Sequence, residues 1–280
     1  MPTQALKDIR IIFSDIDGTL LPFEGKDLTP TAALIRRLIE AGYTFIPCTG
    51  RGTGNIPPTI KEIPGIRYVI TANGALITDL ESGQVLYERL LARHLARQVT
   101  DFLRRYNGMT YAYLHGQHYL DVRAGQALPQ SDKPSLQAWL DAVVPMDFDL
   151  FLAMEGSERL DKMGFSTADQ TARRQVREEI KQLPCHPELF VSTSGFWNVE
   201  VNAAGANKGD AALWLAKHLG FAPHEILTAG DNINDIPMLE MAAISLAPAN
   251  AEPEVKAAAT YQVADCREDG VEDFLARLLD

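Results

Sequence analysis

The protein has 280 residues, enough for one large domain or two of moderate size. Hydrophobic residues make up 46% of the chain, which favours a packed globular core over disorder. Its 26 Lys and Arg against 37 Asp and Glu give a net charge of −11, and this argues against a nucleic-acid partner, which needs a basic surface. No apolar run reaches the roughly 18 residues of a membrane helix, and three scattered cysteines indicate neither disulfides nor zinc. We therefore expect a cytoplasmic protein without a membrane or nucleic-acid partner.

Strands and helices are predicted to alternate in the first part of the chain. The apolar run at residues 10–14 predicts a buried strand. A helix signal begins at Thr29-Pro30 and ends at Gly42, and further apolar runs follow at residues 43–46 and 68–70. Strand, helix and strand in short succession are typical of a parallel sheet.

The middle of the chain has a different pattern. Hairpins are predicted at residues 76–87 and 188–202, and a strand is predicted near residues 148–154. His115 and His118 flank Gly116-Gln117 between two short strands, where a turn explains them better than a metal site does. Hairpins mixed with helices indicate an α+β module.

From Lys208 the alternation of helices and strands returns. A helix is predicted at residues 209–219, a strand at 226–228, and later strands at 243–246 and 261–263. We therefore predict an α/β fold. A Rossmann-like parallel-sheet core would comprise residues 1–84 and 204–280, with an inserted α+β cap domain at residues 85–203.

Polar clusters follow the predicted strands of the core. Residues 15–19 come after the first strand, residues 49–51 after the second, and residues 231–235 after the strand at 226–228, while Lys208 opens a helix. Ligands of open parallel sheets bind beyond the carboxyl ends of the strands. We therefore expect these clusters to converge at one edge of the sheet.

Four carboxylates would meet at this edge: Asp15, Asp17, Asp231 and Asp235. Like charges this close repel one another, so that some would protonate unless a cation were present. Oxygen ligands favour a hard cation, and Mg²⁺ is the usual one where a phosphate completes the coordination shell.

The remaining residue types suit a phosphoryl group. The Thr49 hydroxyl, the Gly50 N–H and the Lys208 ammonium are able to hold its oxygens. Asp15 is then free to attack phosphorus as a nucleophile, and Asp17 is placed to protonate the leaving alkoxide and later to activate water.

These stretches resemble the motifs of the haloacid-dehalogenase-like superfamily. Residues 11–21 look like its first motif, residues 48–51 its second and residues 207–209 its third. Residues 230–239 are similar to the fourth motif of the Cof-type branch of sugar-phosphate phosphatases. Other matching stretches lie at residues 71–77, 249–259 and 268–271, whereas the insert matches only in position and size.

The resemblance implies a role for each motif residue. Asp15 would be nucleophile and metal ligand, and Asp17 the general acid and base, with its main-chain carbonyl on the metal. Asp231 would bind Mg²⁺ directly, and Asp235 would orient the residues of the metal site without binding the ion itself. The phosphate contacts would be the backbone N–H groups of Ile16 and Gly50 and the side chains of Thr49, Lys208 and Asn234. The insert resembles the cap of the family, which closes over the site and contacts the leaving group.

We thus expect a Mg²⁺-dependent phosphatase that hydrolyses small phosphomonoesters, such as sugar phosphates or related metabolites, through an aspartyl-phosphate on Asp15. A phosphomutase on the same scaffold and a non-catalytic phosphate-ligand sensor stay open as alternatives. Arg51 either faces the substrate or pairs with an acidic residue. Residues 52–58 depart from the family, which more often continues directly into a helix there, and this leaves the substrate preference open.

Overall fold

The computed structural model describes residues 3–122, 143–195 and 197–280. The chain divides into two compact units, one of Met1–Glu88 with Ala206–Asp280 and one of Arg89–Gly205. Residues 123–142 of the predicted insert lie outside the described residues. Among the helices of the described ranges, none combines the length and the apolar character that crossing a membrane requires.

The first unit is built on a five-stranded sheet in which every pair of neighbours is parallel. This confirms the predicted α/β class. In spatial order its strands are Tyr261–Val263 (β16), Ile244–Pro248 (β15), Ile226–Ala229 (β14), Ile11–Ser14 (β1) and Thr44–Pro47 (β2).

Apolar clusters cover both faces of this sheet, as a run of apolar residues such as β1 requires. Ile12 belongs to one cluster and Phe13 to the other, because successive strand residues point to opposite faces. The described helices of the unit are Thr3–Asp8 (α1), Thr29–Glu40 (α2), Pro58–Lys61 (α3), Lys208–His218 (α7), Ile236–Glu240 (α8), Pro253–Ala258 (α9) and Gly270–Ala276 (α10).

The third predicted strand does not belong to this sheet. Tyr68–Thr71 (β3) pairs antiparallel with Leu76–Asp79 (β4), which in turn pairs with Val85–Glu88 (β5). The turn at residues 72–74 reverses the chain directly after β3. An isolated parallel bridge between Cys48 and Ile70 links the end of β2 to β3.

The second unit contains a six-stranded sheet that is antiparallel except for its last pair. In spatial order its strands are Leu189–Ser194 (β12), Asn198–Ala203 (β13), Lys162–Ser166 (β11), Met109–Leu114 (β7), Gln117–Asp121 (β8) and Val144–Met146 (β9). Two short strands, Leu91–Ala92 (β6) and Arg159–Leu160 (β10), pair separately. Its described helices are Arg93–Leu103 (α4), Phe148–Phe151 (α5) and Gln170–Glu179 (α6).

The two faces of the six-stranded sheet differ in chemistry. Ala112, Met163 and Val201 are register partners on neighbouring strands and lie in one apolar cluster with residues of α4 and α6. Lys162 and Glu200, at the alternate positions, form a buried ion pair. The second unit thus has an apolar core of its own on one face of its sheet.

The strand predicted near residues 148–154 is wrong, since this stretch begins with the helix α5. The Asp147 side chain accepts a hydrogen bond from the Asp149 N–H at 2.8 Å and so caps the helix. Phe148 and Phe151, three residues apart, are both buried on one side of it. The sequence run is therefore the apolar side of a short helix and not an alternating strand.

Candidate active site

The predicted polar clusters lie where the parallel strands end. Asp15 directly follows β1, and its N–H donates to the Ala229 carbonyl at the end of β14 at 2.9 Å. Thr49 follows β2 after Cys48, and its N–H donates to the Ile70 carbonyl of β3 at 2.9 Å. The ladder hydrogen bonds therefore fix the backbone of both residues at this edge.

Lys208 joins two of the predicted carboxylates. Its Nζ lies 2.5 Å from Asp15 Oδ1 and 2.6 Å from Asp235 Oδ1, and all three side chains are buried. Burial disfavours the ammonium, but attraction to the two carboxylates outweighs it, so that the pKa of Lys208 is raised and the side chain stays charged.

Asp235 is fully occupied by donors from the protein. Its Oδ1 accepts from Lys208, while its Oδ2 accepts from the N–H groups of Asp231 and Asn232 at 3.0 and 2.9 Å. It therefore orients both Lys208 and the backbone that carries Asp231.

Asp231 is oriented from the other side by the first motif. Thr19 Oγ1 donates to Asp231 Oδ1 at 3.1 Å, and both residues are buried. A Cβ on Gly18 would lie 2.2 Å from Asp231 Oδ2, and the φ of Gly18 is +84°. Only glycine satisfies both conditions, so the first motif and Asp231 approach each other at backbone distance.

Asp15, Asp231 and Asp235 have the geometry of a cation site. One oxygen of each lies within 4.8 Å of the others, and all three are buried. Burial raises the pKa of the Asp15 carboxyl to about 7, with repulsion from Asp235 and Asp17 adding to the rise and Lys208 opposing it. Burial, with repulsion from Asp15 and Asp235 adding to it, also raises the pKa of Asp231 well above its usual range.

This donor set fits a divalent cation. The carboxylates are hard oxygen ligands, and a single buried ammonium offsets only part of their charge within the described ranges. Because both oxygens of Asp235 already accept hydrogen bonds, Asp15 and Asp231 are the residues that would hold the ion, with Asp235 supporting them.

The Asp17 side chain lies outside this group of three. It forms a bidentate pair with Arg51, with Nε and Nη2 at 2.7 and 2.6 Å from its oxygens. Arg51 also donates to the Asn55 carbonyl at 2.8 Å, within the 3₁₀ turn Thr53–Asn55 of the divergent loop. Arg51 thus pairs with an acidic residue, and its partner is the predicted general acid.

Some of the predicted phosphate contacts already have hydrogen-bond partners within the protein, and others do not. Thr49 is buried, and its Oγ1 accepts from the Arg51 N–H at 3.1 Å. Asn234 is buried and donates from Nδ2 to Asn73 Oδ1 at 3.0 Å. In the described part of the chain, no hydrogen bond is found from the N–H of Ile16 or of Gly50. These two N–H groups are therefore available to an anion.

Sequence reasoning assigned no role to Thr19 or Asn73, and it left that of Arg51 open. Thr19 is part of the first motif, residues 11–21, and Asn73-Gly74 is a turn signal. Neither pattern reveals its partner, since Thr19 and Asp231 are 212 residues apart and Asn73 and Asn234 are 161 apart.

Comparison with known proteins places this site in a family. A sequence profile described as haloacid dehalogenase-like hydrolase matches residues 12–275. The chain is 30% identical over 264 residues to 5-amino-6-(5-phospho-D-ribitylamino)uracil phosphatase YcsE of Bacillus subtilis, covering 94% of this chain and 93% of the relative. It is 25% identical to the pyridoxal phosphate phosphatase YbhA of Escherichia coli, covering 95% and 97% of the two chains.

Solved structures show the same fold. A haloacid dehalogenase-like hydrolase from B. subtilis matches with a TM-score of 0.82 at 22% identity, covering 96% of this chain and 100% of the other. BT4131, a sugar phosphatase of subclass IIB in this superfamily, matches with a TM-score of 0.77 at 21% identity, covering 96% and 98%. The resemblance inferred from the four motifs is thus confirmed, and the chain belongs to the haloacid dehalogenase-like hydrolases, as a phosphatase of their Cof-type branch.

Proposed function

We propose that this phosphatase hydrolyses small phosphomonoesters, sugar phosphates or related phosphorylated metabolites, with Asp15 as the nucleophile and Mg²⁺ as the cofactor. The observation that carries the proposal is the position of Asp15. It is buried between Lys208 and Asp231, beside the available N–H of Ile16. A carboxylate in this place has a cationic partner and a free backbone donor next to it.

Asp15 and Asp231 would hold the ion, which would neutralise their mutual repulsion and the charge of a bound phosphoryl group. The Lys208 ammonium, the Thr49 hydroxyl, the Asn234 amide, and the Ile16 and Gly50 N–H groups would bind the phosphoryl oxygens. These donors are fixed in place by the fold, so that little reorganisation is needed during the reaction.

The reaction would proceed in two displacements at phosphorus. An Asp15 carboxylate oxygen forms a bond to phosphorus while the bond to the ester oxygen breaks, and Asp17 gives its proton to the departing alkoxide. Asp17, now ionised, then takes a proton from water as the water oxygen attacks phosphorus. The acyl-phosphate bond breaks, Asp15 regains its carboxylate, and inorganic phosphate leaves. Because both oxygens of Asp17 accept hydrogen bonds from Arg51, this pair must open before Asp17 can reach the leaving group.

The second unit is the proposed cap that contacts the leaving group. It has its own sheet and apolar core, and the catalytic candidates all belong to the first unit. A panel of substrates should therefore vary the leaving group. It would include sugar phosphates, pyridoxal phosphate and 5-amino-6-(5-phospho-D-ribitylamino)uracil, since the last two occur in the names of relatives.

The assignment of Asp15 is tested by Asp15→Asn and by chemical trapping. The amide has nearly the shape of the carboxylate but is a poor nucleophile, so turnover should be lost while the circular dichroism spectrum is unchanged. In the wild type, borohydride reduction during turnover followed by peptide mapping should mark residue 15. Label on Asp17 instead would show that the nucleophile is assigned incorrectly.

The reaction type and the ion are tested together on the wild type. Free phosphate should appear with Mg²⁺ and no isomeric phosphate ester should accumulate, which separates hydrolysis from the phosphomutase alternative. Ca²⁺ should not replace Mg²⁺, because its looser coordination can take both oxygens of Asp15 and so occupy the attacking lone pair. Full activity in excess chelator would exclude the metal assignment.

A further inference from the structure

The turn at residues 72–74 is buried and lies in an unusual backbone conformation. It connects β3 to β4, and Ala72, Asn73 and Gly74 all have positive φ, at 49°, 60° and 95°. Such a conformation costs energy for a residue with a Cβ and persists only where the surroundings hold it. The reaction proposed above uses none of these three residues.

This turn contacts the loops that carry the phosphate contacts. The Ala72 N–H donates to the Arg51 carbonyl at 2.9 Å, and the Asn73 N–H donates to the Thr49 carbonyl at 3.1 Å. A Cβ on Gly74 would lie 2.2 Å from the Asn207 carbonyl oxygen, directly before Lys208. The turn therefore packs between the loop that follows β2 and the start of α7.

The Asn73 side chain reaches a third loop. Its Oδ1 accepts from Asn234 Nδ2 at 3.0 Å, and both residues are buried. In the described ranges Asn234 Oδ1 has no hydrogen-bond partner although it is buried. The hydrogen bond from Asn234 Nδ2 to Asn73 Oδ1 thus holds the Asn234 amide in one orientation.

This orientation matters for an anion. An amide nitrogen has two N–H groups, so that Asn234 can donate one to Asn73 and the other to a phosphoryl oxygen. If the amide turned over, its oxygen would face the phosphoryl oxygens and repel them. Asn73 Oδ1 opposes this rotation of the Asn234 amide, because an acceptor oxygen requires a donor opposite it.

We infer that Asn73 is a positioning residue for phosphate binding, acting through Asn234 and, by its backbone, through Thr49. The inference rests on the proposed function, in which Asn234 contacts the phosphoryl group. It assigns a role to a residue that precedes the second unit in the chain and that belongs to no catalytic motif.

The test is a double-mutant cycle on kcat/KM with Asn73→Gly and Asn234→Ala. Glycine keeps the positive φ without strain, so this variant removes the side-chain acceptor and leaves the turn intact. Asn73→Gly should lower kcat/KM roughly 10-fold to 100-fold and weaken inhibition by inorganic phosphate by a similar factor. In the Asn234→Ala background it should change either quantity by less than about 3-fold, because the group that it positions is gone.

Two further variants separate side-chain from structural effects. Asn73→Ser has an oxygen too near the backbone to reach Asn234, and it should repeat the result of Asn73→Gly. Ala72→Gly keeps its N–H and relieves a positive φ, so it should leave kcat/KM within about 3-fold of the wild type. Thermal unfolding of each variant shows that the fold is retained.

Each outcome decides the inference. Losses for Asn73→Gly and Asn234→Ala that multiply in the double variant would show a general structural role and overturn it. Full activity in Asn234→Ala would overturn it as well, by removing the phosphate contact on which it rests. The proposed reaction itself would still stand in that case, provided that Asp15→Asn abolishes turnover.

Discussion

Asp15, Asp231 and Asp235 place three buried carboxylates within 4.8 Å of one another, with Lys208 as their buried cationic partner in the described structure. The raised pKa values of Asp15 and Asp231 express the cost of this arrangement in the absence of a cation. An ion that binds only the folded state should therefore stabilise the protein as well as activate it.

We predict that Mg²⁺ raises the melting temperature of the metal-free protein. At about 100 times its dissociation constant, a ligand adds about 2.7 kcal/mol to the free energy of unfolding. For a protein of this size, that corresponds to an increase of roughly 5 °C. The measurement is thermal unfolding of chelator-treated protein with and without Mg²⁺.

The matched variants for this experiment are Asp231→Asn and Asp273→Asn. Asp231→Asn should lose the Mg²⁺-dependent shift, and its metal-free form should melt no lower than the wild type, because one repelling charge is removed. Asp273 is exposed and is not one of the proposed site residues, so its variant should keep the Mg²⁺-dependent shift. An equal shift in all three proteins would place the bound ion elsewhere.

The separate environments of Asp15 and Asp17 predict separate kinetic defects. Asp17→Asn removes the proton donor and the base but leaves the nucleophile. With p-nitrophenyl phosphate the leaving group needs no proton, so the first displacement should proceed while the second is slow for lack of a base. We therefore expect a burst of about one p-nitrophenolate per enzyme, followed by slow turnover, in rapid-mixing absorbance measurements.

Asp15→Asn is the control, and it should show neither burst nor turnover. With an alkyl phosphate ester, whose leaving group needs a proton, Asp17→Asn should show no burst. A burst of equal size with both kinds of ester would mean that Asp17 is not the acid of the first step.

At the scale of elements, local sequence patterns predicted most of the core. The apolar run at residues 10–14 became β1, and the Thr29-Pro30 signal became the start of α2, because Pro at the first turn and an apolar stripe are local properties. The errors lie where contacts with distant parts of the chain decide which structure a segment adopts. β3 has the composition of a parallel strand, yet its turn at Asn73-Gly74 pairs it with β4.

The candidate site follows the same rule. The residues of the motifs could be named from the sequence because each lies within a few residues of a strand end or at a helix start. Their connections could not be named, since they join residues far apart in the chain. The hydrogen bond from Thr19 to Asp231 and the pair of Arg51 with Asp17 depend on how the strands are ordered in space.

The six-stranded sheet holds a histidine that should make stability depend on pH. His118 on β8 is buried, with its ring 3.8 Å from that of Tyr113, and burial together with the charge of Lys162 lowers its pKa to about 4. The unfolded chain binds a proton near pH 6.5, whereas the folded protein does not until about pH 4. Stability contributed by neutral His118 is therefore complete above pH 6.5 and is lost as the pH falls toward 4.

We predict that His118→Gln reduces this loss. Between pH 7.5 and pH 5.0 the free energy of unfolding of the wild type should fall by about 1–2 kcal/mol more than that of the variant. Urea unfolding at the two pH values gives this difference, in which groups common to both proteins cancel. An identical pH dependence for the two proteins would show that folding leaves the pKa of His118 unchanged.

At the scale of the whole molecule, the two units divide by chemistry. Asp15, Thr49, Lys208 and Asp231 belong to the unit of residues 1–88 and 206–280. The other unit has its own apolar core and a buried ion pair between Lys162 and Glu200. If it is the cap, it contributes binding energy from the part of the substrate that does not react, and that energy can lower the barrier.

We therefore predict that replacing residues 89–205 with a flexible Gly/Ser linker changes selectivity more than chemistry. The value of kcat/KM should fall steeply for the best substrate of the panel and much less for a small generic ester, which gains little from the cap. Circular dichroism and cooperative thermal unfolding must first show that the shortened protein folds, because the deletion can expose apolar surface. The deciding quantity is the ratio of kcat/KM for the best substrate to that for the generic ester, before and after the replacement. An unchanged ratio in a folded protein would place specificity in the first unit, where the loop of residues 52–58 carries Asn55 against Arg51 and becomes the next segment to mutate.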